Sequence, residues 1–197
     1  MFPDKHRVSL HRHYYRICFA QHRLYGELDA TLTESSTAPV GEDEFAANLG
    51  KQERDYEMRE QAAVIGITFA AMCLEAFFYD YAATELGDTF AEEHLDKLDL
   101  PSKLIVIPRL VCCKGIKKSS DVYEKVKRLS KDRNYLVHFK SKPFDLRHLD
   151  KASEFHDELN DRFRSALENG VDAVRKVMKA LDELHGKRDH YYHMVCI

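Results

Sequence analysis

Residues 62–83, AAVIGITFAAMCLEAFFYDYAA, constrain this chain more than any other stretch. As a helix the segment is apolar on most sides, and such a helix belongs in the middle of a protein or inside a partner. Ala62, Ala63, Gly66, Ala70 and Ala71 are small, so another helix can approach closely. A charged run, ERDYEMREQ, precedes the segment, and Gly87 with Asp88 supplies a stop. The expected helix spans about Gln52 to Leu86. No apolar run approaches the roughly 18–20 residues that span a bilayer, so no membrane is expected.

Around this centre the spacing predicts further helices. Tyr14, Ile17, Cys18, Gln21, Leu24, Tyr25 and Leu28 form a stripe within a helix from about Ser9 to Leu32. Thr33 to Gly50, rich in Ser, Thr, Pro, Gly and acids, reads as a loop. Short helices are expected near Thr89–Leu98 and Pro101–Cys113, with Pro101 in a first turn and Pro108 as a kink or stop. A helix from about Val122 to His138 follows, capped by Ser119, Ser120 or Asp121. The last long helix covers about Leu146 to Leu184, with a break expected near Asn169–Gly170. Residues 187–197 read as a tail, exposed or docked at an interface. Only 8 Gly and 5 Pro argue against a loop-rich β protein. The expected class is all-α: an antiparallel four- to five-helix bundle with short extra helices, forming one domain over residues 1–197.

Five cysteines, odd in number and scattered, fit reduced thiols in the cytoplasm, and the N-terminus lacks an apolar signal core. No CxxC pair exists. His11, His13, His22, His190 and His193 lack a carboxylate arrangement such as HExxH, so neither a metal nor another cofactor is expected. Tyr14, Tyr15, Tyr191 and Tyr192 suit packing better than base stacking. Cys112 and Cys113 are expected to be buried, with no activating base in view.

Charge is uneven. Between Lys103 and Lys142 twelve Lys/Arg face three Asp/Glu, a surplus of nine positive charges in a chain of net charge -3. Such a segment suggests a basic face for an anionic partner, or a solvated surface neutralised by acidic neighbours.

One helix in that segment, DVYEKVKRLSKDRNYLVHFK, departs from its own pattern. Its stripe is Val122, Val126, Leu129, then Leu136 and Val137, which places the intervening core position at Arg133. A guanidinium there is costly unless it is paired or opens onto a cleft. Glu75, set within the apolar helix, is the obvious structural partner, and His138 could cap its helix. Asn134 and His138 are four apart and share a face. Arg133 and His138 lie about 140° apart around a straight helix, yet a long Arg could still bracket a substrate group with the imidazole. A second subunit could also supply a matching pair.

RNYLVH is an Arg-x4-His motif with a polar residue directly after the Arg, and it resembles the signature of the HEPN superfamily (higher eukaryotes and prokaryotes nucleotide-binding). CLEAFFYDYAATEL resembles the second helix of some members, and LDKLDLPSKLIVIPRL their connecting region. The likeness covers roughly residues 62–142. It implies a four- or five-helix bundle, often dimeric. Many members are metal-independent endoribonucleases in toxin–antitoxin, phage-defence or RNA-processing systems; others are inactive modules that bind nucleic acid or protein. Carried over by position, Arg133 and His138 would be catalytic and Asn134 would orient one of them. Lys131, Lys140 and Lys142 could track an RNA backbone. The implied partners are RNA, a second copy of the chain, and an antitoxin or regulatory protein. Some toxins carry a Tyr two residues after the His; here Lys140 stands there, which argues against a modifying antitoxin of that kind.

Overall fold

The computed structural model describes residues 8–35, 45–140, 149–187 and 189–196, and every element among them is helical. These are α1 (His11–Ser35), α2 (Phe45–Leu86), α3 (Asp88–Phe90) running into a wide π-type turn (Ala91–Leu95), α4 (Leu100–Cys112), α5 (Asp121–Val137), α6 (Leu149–His185) and α7 (His190–Cys196).

Side-chain contacts fix the directions of the four long helices. Asp29 meets Arg59 at 2.9 Å, Tyr14 packs on Phe69 and His11 on Phe77, so α1 and α2 are antiparallel. Lys125 meets Asp172 at 2.7 Å, Arg128 meets Ser165 at 2.6 Å and Asp132 meets Arg162 at 3.7 Å, so α5 and α6 are antiparallel too. α2 and α6 run parallel: Gly66 faces Leu167, Ala70 faces Gly170, and the Tyr81 hydroxyl meets His185 Nε2 at 2.5 Å. The bundle is thus up-down-up-down, with the parallel α2–α6 diagonal in contact and α1 and α5 packed on both.

Gly66, Ala70 and Gly170 make that contact. Ala62, Ala63, Gly66, Ala70 and Ala71 are all buried, as the sequence implied. A Cβ on Gly66 would lie 2.3 Å from Leu167 Cδ1, and one on Gly170 3.0 Å from Ala70 Cβ. By length and composition the stretch Asn48–Leu86 could cross a membrane, contrary to the sequence reading; 56% of its most apolar window is buried inside the protein.

Other differences have local causes. α2 starts at Phe45, so much of the loop expected over Thr33–Gly50 is helical. Pro108 does not end its helix: Leu104, Ile107 and Pro108 are all buried, and that packing carries α4 to Cys112. The expected break at Asn169–Gly170 is absent. Asn169 instead donates to the Lys125 carbonyl at 3.0 Å, and Gly170 provides close approach to α2. The C-terminal tail docks on its own bundle. Buried Asp182 accepts from the Tyr191 and Tyr192 amides at 2.8 and 3.2 Å, satisfying two of the orphan donors that begin α7.

Candidate functional site

α5 begins as expected, with Ser120 Oγ accepting the Tyr123 amide at 3.3 Å. Val126 and Leu129 are fully buried. The next buried residue is Asp132, not Arg133, whose side chain is exposed. This corrects the core slot assigned from spacing. The two positions are about 100° apart around the helix. Beyond Leu129 the covered side of α5 is the one facing α6, where Asp132 lies between Arg128 Nε at 3.6 Å and Arg162 Nη2 at 3.7 Å. On the α2 side a hollow of about 760 Å³ opens between Leu136, Phe139 and Leu159 and the α2 residues Val64 and Ile65, and Val137 is 62% exposed.

Arg133 donates to Asn134 Oδ1 at 3.1 Å and makes no ion pair among the described residues. Glu75 pairs instead with Lys103 of α4, a buried lysine that also lies 3.8 Å from Asp96. The antiparallel run explains this correction. Leu129 sits beside Ala70 and Leu136 near Val64 and Ile65, so position 133 falls about two turns or more of α2 away from Glu75.

His138 terminates α5, its amide donating to the Asn134 carbonyl at 3.0 Å. Its exposed side chain lines a groove of about 360 Å³ between the end of α5 and the first half of α6. Tyr135, Phe139 and Lys140 come from the α5 side; Phe155, Glu158, Leu159 and Arg162 come from α6. Tyr135 and Phe139 pack edge to face, with centroids 5.5 Å apart. The structure therefore brings His138 and Lys140 together. Arg133 and Asn134 do not line this groove; Lys131 is exposed, and Lys142 lies outside the described residues.

The guanidinium that does line the groove belongs to Arg162, which sequence reasoning missed. Its Cζ stands 3.3 Å from the centroid of the Tyr135 ring. Arg162 sits in a charged stretch of α6 with no motif around it. The available signal was Asp132, an acid on a helix whose stripe it borders and so in need of a cation. Burial raises the Asp132 pKa, while Arg128 and Arg162 pull it down less strongly.

A small part of the positive surplus between Lys103 and Lys142 is neutralised by acids from outside the segment: Lys103 pairs with Glu75 and Lys125 with Asp172, while Lys127–Glu124 and Arg128–Asp132 pair charges within it. Arg109, Lys117, Lys118, Lys131, Arg133 and Lys140 are exposed.

The remaining candidates have structural settings. His11 is buried, its Nδ1 2.6 Å from Ser9 Oγ and 3.3 Å from Asp80, and burial lowers its pKa against the pull of Asp80. Tyr15 is buried and accepts from Arg175 Nε at 2.8 Å. Cys112 is half-buried, and Cys113 is exposed in the left-handed conformation that ends α4, which overturns the expectation that both are buried. Among the described residues no three His, Cys, Asp or Glu gather as a metal site would require.

No protein-family model matches the sequence, and neither a curated protein nor a solved structure matches it.

Proposed function

We propose that this chain is a metal-independent endoribonuclease of HEPN type, acting in the cytoplasm within a toxin–antitoxin, phage-defence or related mobile-element system. The observation that carries the reading is the placement of His138. It is exposed at the end of its helix, in a groove that also offers a lysine, an arginine and aromatic rings. That combination suits a single-stranded RNA, whose phosphates need cations and whose splayed bases need flat surfaces.

The chemistry follows from the groups at hand. The 2′-OH of the substrate attacks the adjacent phosphorus, a base takes its proton, and the P–O5′ bond breaks as the leaving oxygen is protonated. Histidine can take or give that proton near neutral pH. An arginine stabilises the added negative charge on the phosphorane. Arg133, held by Asn134 and committed to no carboxylate among the described residues, is available for that role. In a homodimer Arg133 of one copy would serve the His138 groove of the other.

A second reading, a non-catalytic HEPN-like module that binds nucleic acid or a protein such as an antitoxin, is favoured by one observation: within one chain Arg133 does not line the groove of His138. An RNA-cleavage assay with and without EDTA separates the two. Cleavage that survives EDTA and falls at least 100-fold in both His138→Ala and Arg133→Ala supports the enzyme. Binding without cleavage supports the module.

A further inference from the structure

We propose that Arg162, held in place by Tyr135 and Asp132, is the phosphate-binding guanidinium of the His138 groove. The inference rests on the nucleic-acid reading of that groove, and it assigns the anion-binding role to a residue outside the Arg-x4-His motif.

One face of the guanidinium is covered by the Tyr135 ring at 3.3 Å. The edge at Nη2 is drawn toward Asp132 Oδ1, but at 3.7 Å, beyond ordinary hydrogen-bond reach. Among the described residues no hydrogen bond engages any of its N–H groups. Arg162 is thus located by stacking and by charge while its donors stay uncommitted, with 42% of the side chain accessible. Arg128 shares Asp132 but donates to Ser165 at 2.6 Å, and Arg133 is bonded to Asn134.

Asp132 completes the design. It is buried; its Oδ1 faces Arg162 Nη2 at 3.7 Å, and its Oδ2, which makes no hydrogen bond, faces Arg128 Nε at 3.6 Å. Such an atom is costly to bury, which calls for a reason to keep it. A carboxylate set between two guanidiniums, at 3.6 and 3.7 Å, holds Arg162 in place without consuming its donors. Asp132 is therefore a positioning residue, acting through Arg162. Glu158 lines the same groove but forms no ion pair with Arg162 among the described residues. Lys140 and Arg162 outweigh it. The ligand that fits is the phosphodiester of a single strand: a phosphate oxygen on the Arg162 donors, with the neighbouring base on the guanidinium face away from Tyr135.

The test separates binding from cleavage by using a fully 2′-O-methylated RNA dodecamer, which cannot be cut through its 2′-oxygen, alongside unmodified RNA. Affinity is measured across a salt series for wild type, Arg162→Ala, Arg162→Lys, Asp132→Asn and Arg133→Ala, with circular dichroism to check folding. Arg162→Ala is expected to weaken binding about tenfold and to lower the salt slope by roughly 0.7, the loss of one phosphate contact on a single strand. Arg162→Lys should recover the slope but not the affinity, because an ammonium does not stack on Tyr135 as a planar fork does. Asp132→Asn should lose affinity with the slope unchanged. A salt slope and affinity in folded Arg162→Ala equal to wild type overturn the proposal. So does binding that is lost in Arg133→Ala and not in Arg162→Ala. Arg162-dependent binding without cleavage of unmodified RNA sustains this site while the nuclease reading falls; cleavage with Arg162-independent binding does the reverse.

Discussion

The α2–α6 seam and the α5–α6 seam share one helix and are held by opposite means. Along the first, small residues let two backbones approach until a single methyl on Gly170 would touch Ala70, and the buried Leu167 closes over Gly66. Along the second, a ladder of charges runs from Asp121–Lys176 through Lys125–Asp172 to Asp132–Arg162. Shape fixes the first seam to one register, since close-packed interiors tolerate little change in volume. Charges in contact with water fix the second far less tightly, and exposed ion pairs of this kind contribute little stability each. The candidate site lies on the second seam. Binding groups must stay partly unsatisfied, and only the looser, polar seam leaves room for that.

The largest expected effect comes from the first seam. Leu167→Ala removes a fully buried side chain of α6 that packs against Gly66 of α2. It should cost about 3–5 kcal/mol, read as a lowered midpoint in urea unfolding, because the rigid surroundings cannot close the hole. A cost under about 1 kcal/mol would mean the seam is not packed as described. Overfilling tests the same seam from the other direction. Gly170→Leu must push α2 and α6 apart at Ala70 and should cost about 1–3 kcal/mol, although it relieves an unfavourable helical glycine worth about 1 kcal/mol. An unchanged thermal midpoint would show that the backbones are not in contact.

The two seams also differ in how much of them was legible in the sequence. Ala62, Ala63, Gly66, Ala70 and Ala71 announced a close approach because volume is a property of the residue itself. The helices were legible for a similar reason: apolar spacing and the Ser120 cap are local. What lay beyond reach was relational. Spacing gave the angle of Arg133 around α5 but not which neighbour covers α5 beyond Leu129, and burial passed to Asp132 instead. Glu75 was recognisable as an acid needing a partner, but only the register of α2 against α4 and α5 decides that Lys103 reaches it. Arg162 carried no local signal, since a charged residue on an exposed helical face is the commonest thing a helix contains. His138 is a middle case. Its place at the end of α5 was readable, and the groove beside it, half built from α6, was not.

The smallest effect sharpens the contrast. Asp132 is buried, so its removal might be taken for a core mutation costing several kcal/mol. Two facts decide otherwise. Its cationic partners, Arg128 and Arg162, have side chains 50% and 42% accessible, so neither is stranded when the carboxylate goes. Its own pKa is raised, chiefly by burial, so the charged form is not favoured by the fold. A raised carboxyl pKa contributes stability that is full below the unfolded value of 3.8 and is lost as pH rises through the folded value. Asp132→Asn should therefore change stability by less than about 1 kcal/mol at pH 7. It should also erase that one component of the acid-side profile. Wild type should gain relative to the variant as pH falls toward 4, measured by urea unfolding at pH 7 and pH 4. The opposite sign, with wild type losing ground to the variant on acidification, would mean that the ion pairs with Arg128 and Arg162 outweigh desolvation. Asp132 would then be a conventional salt-bridge anchor, and the polar seam would hold the bundle more firmly than its exposed partners imply.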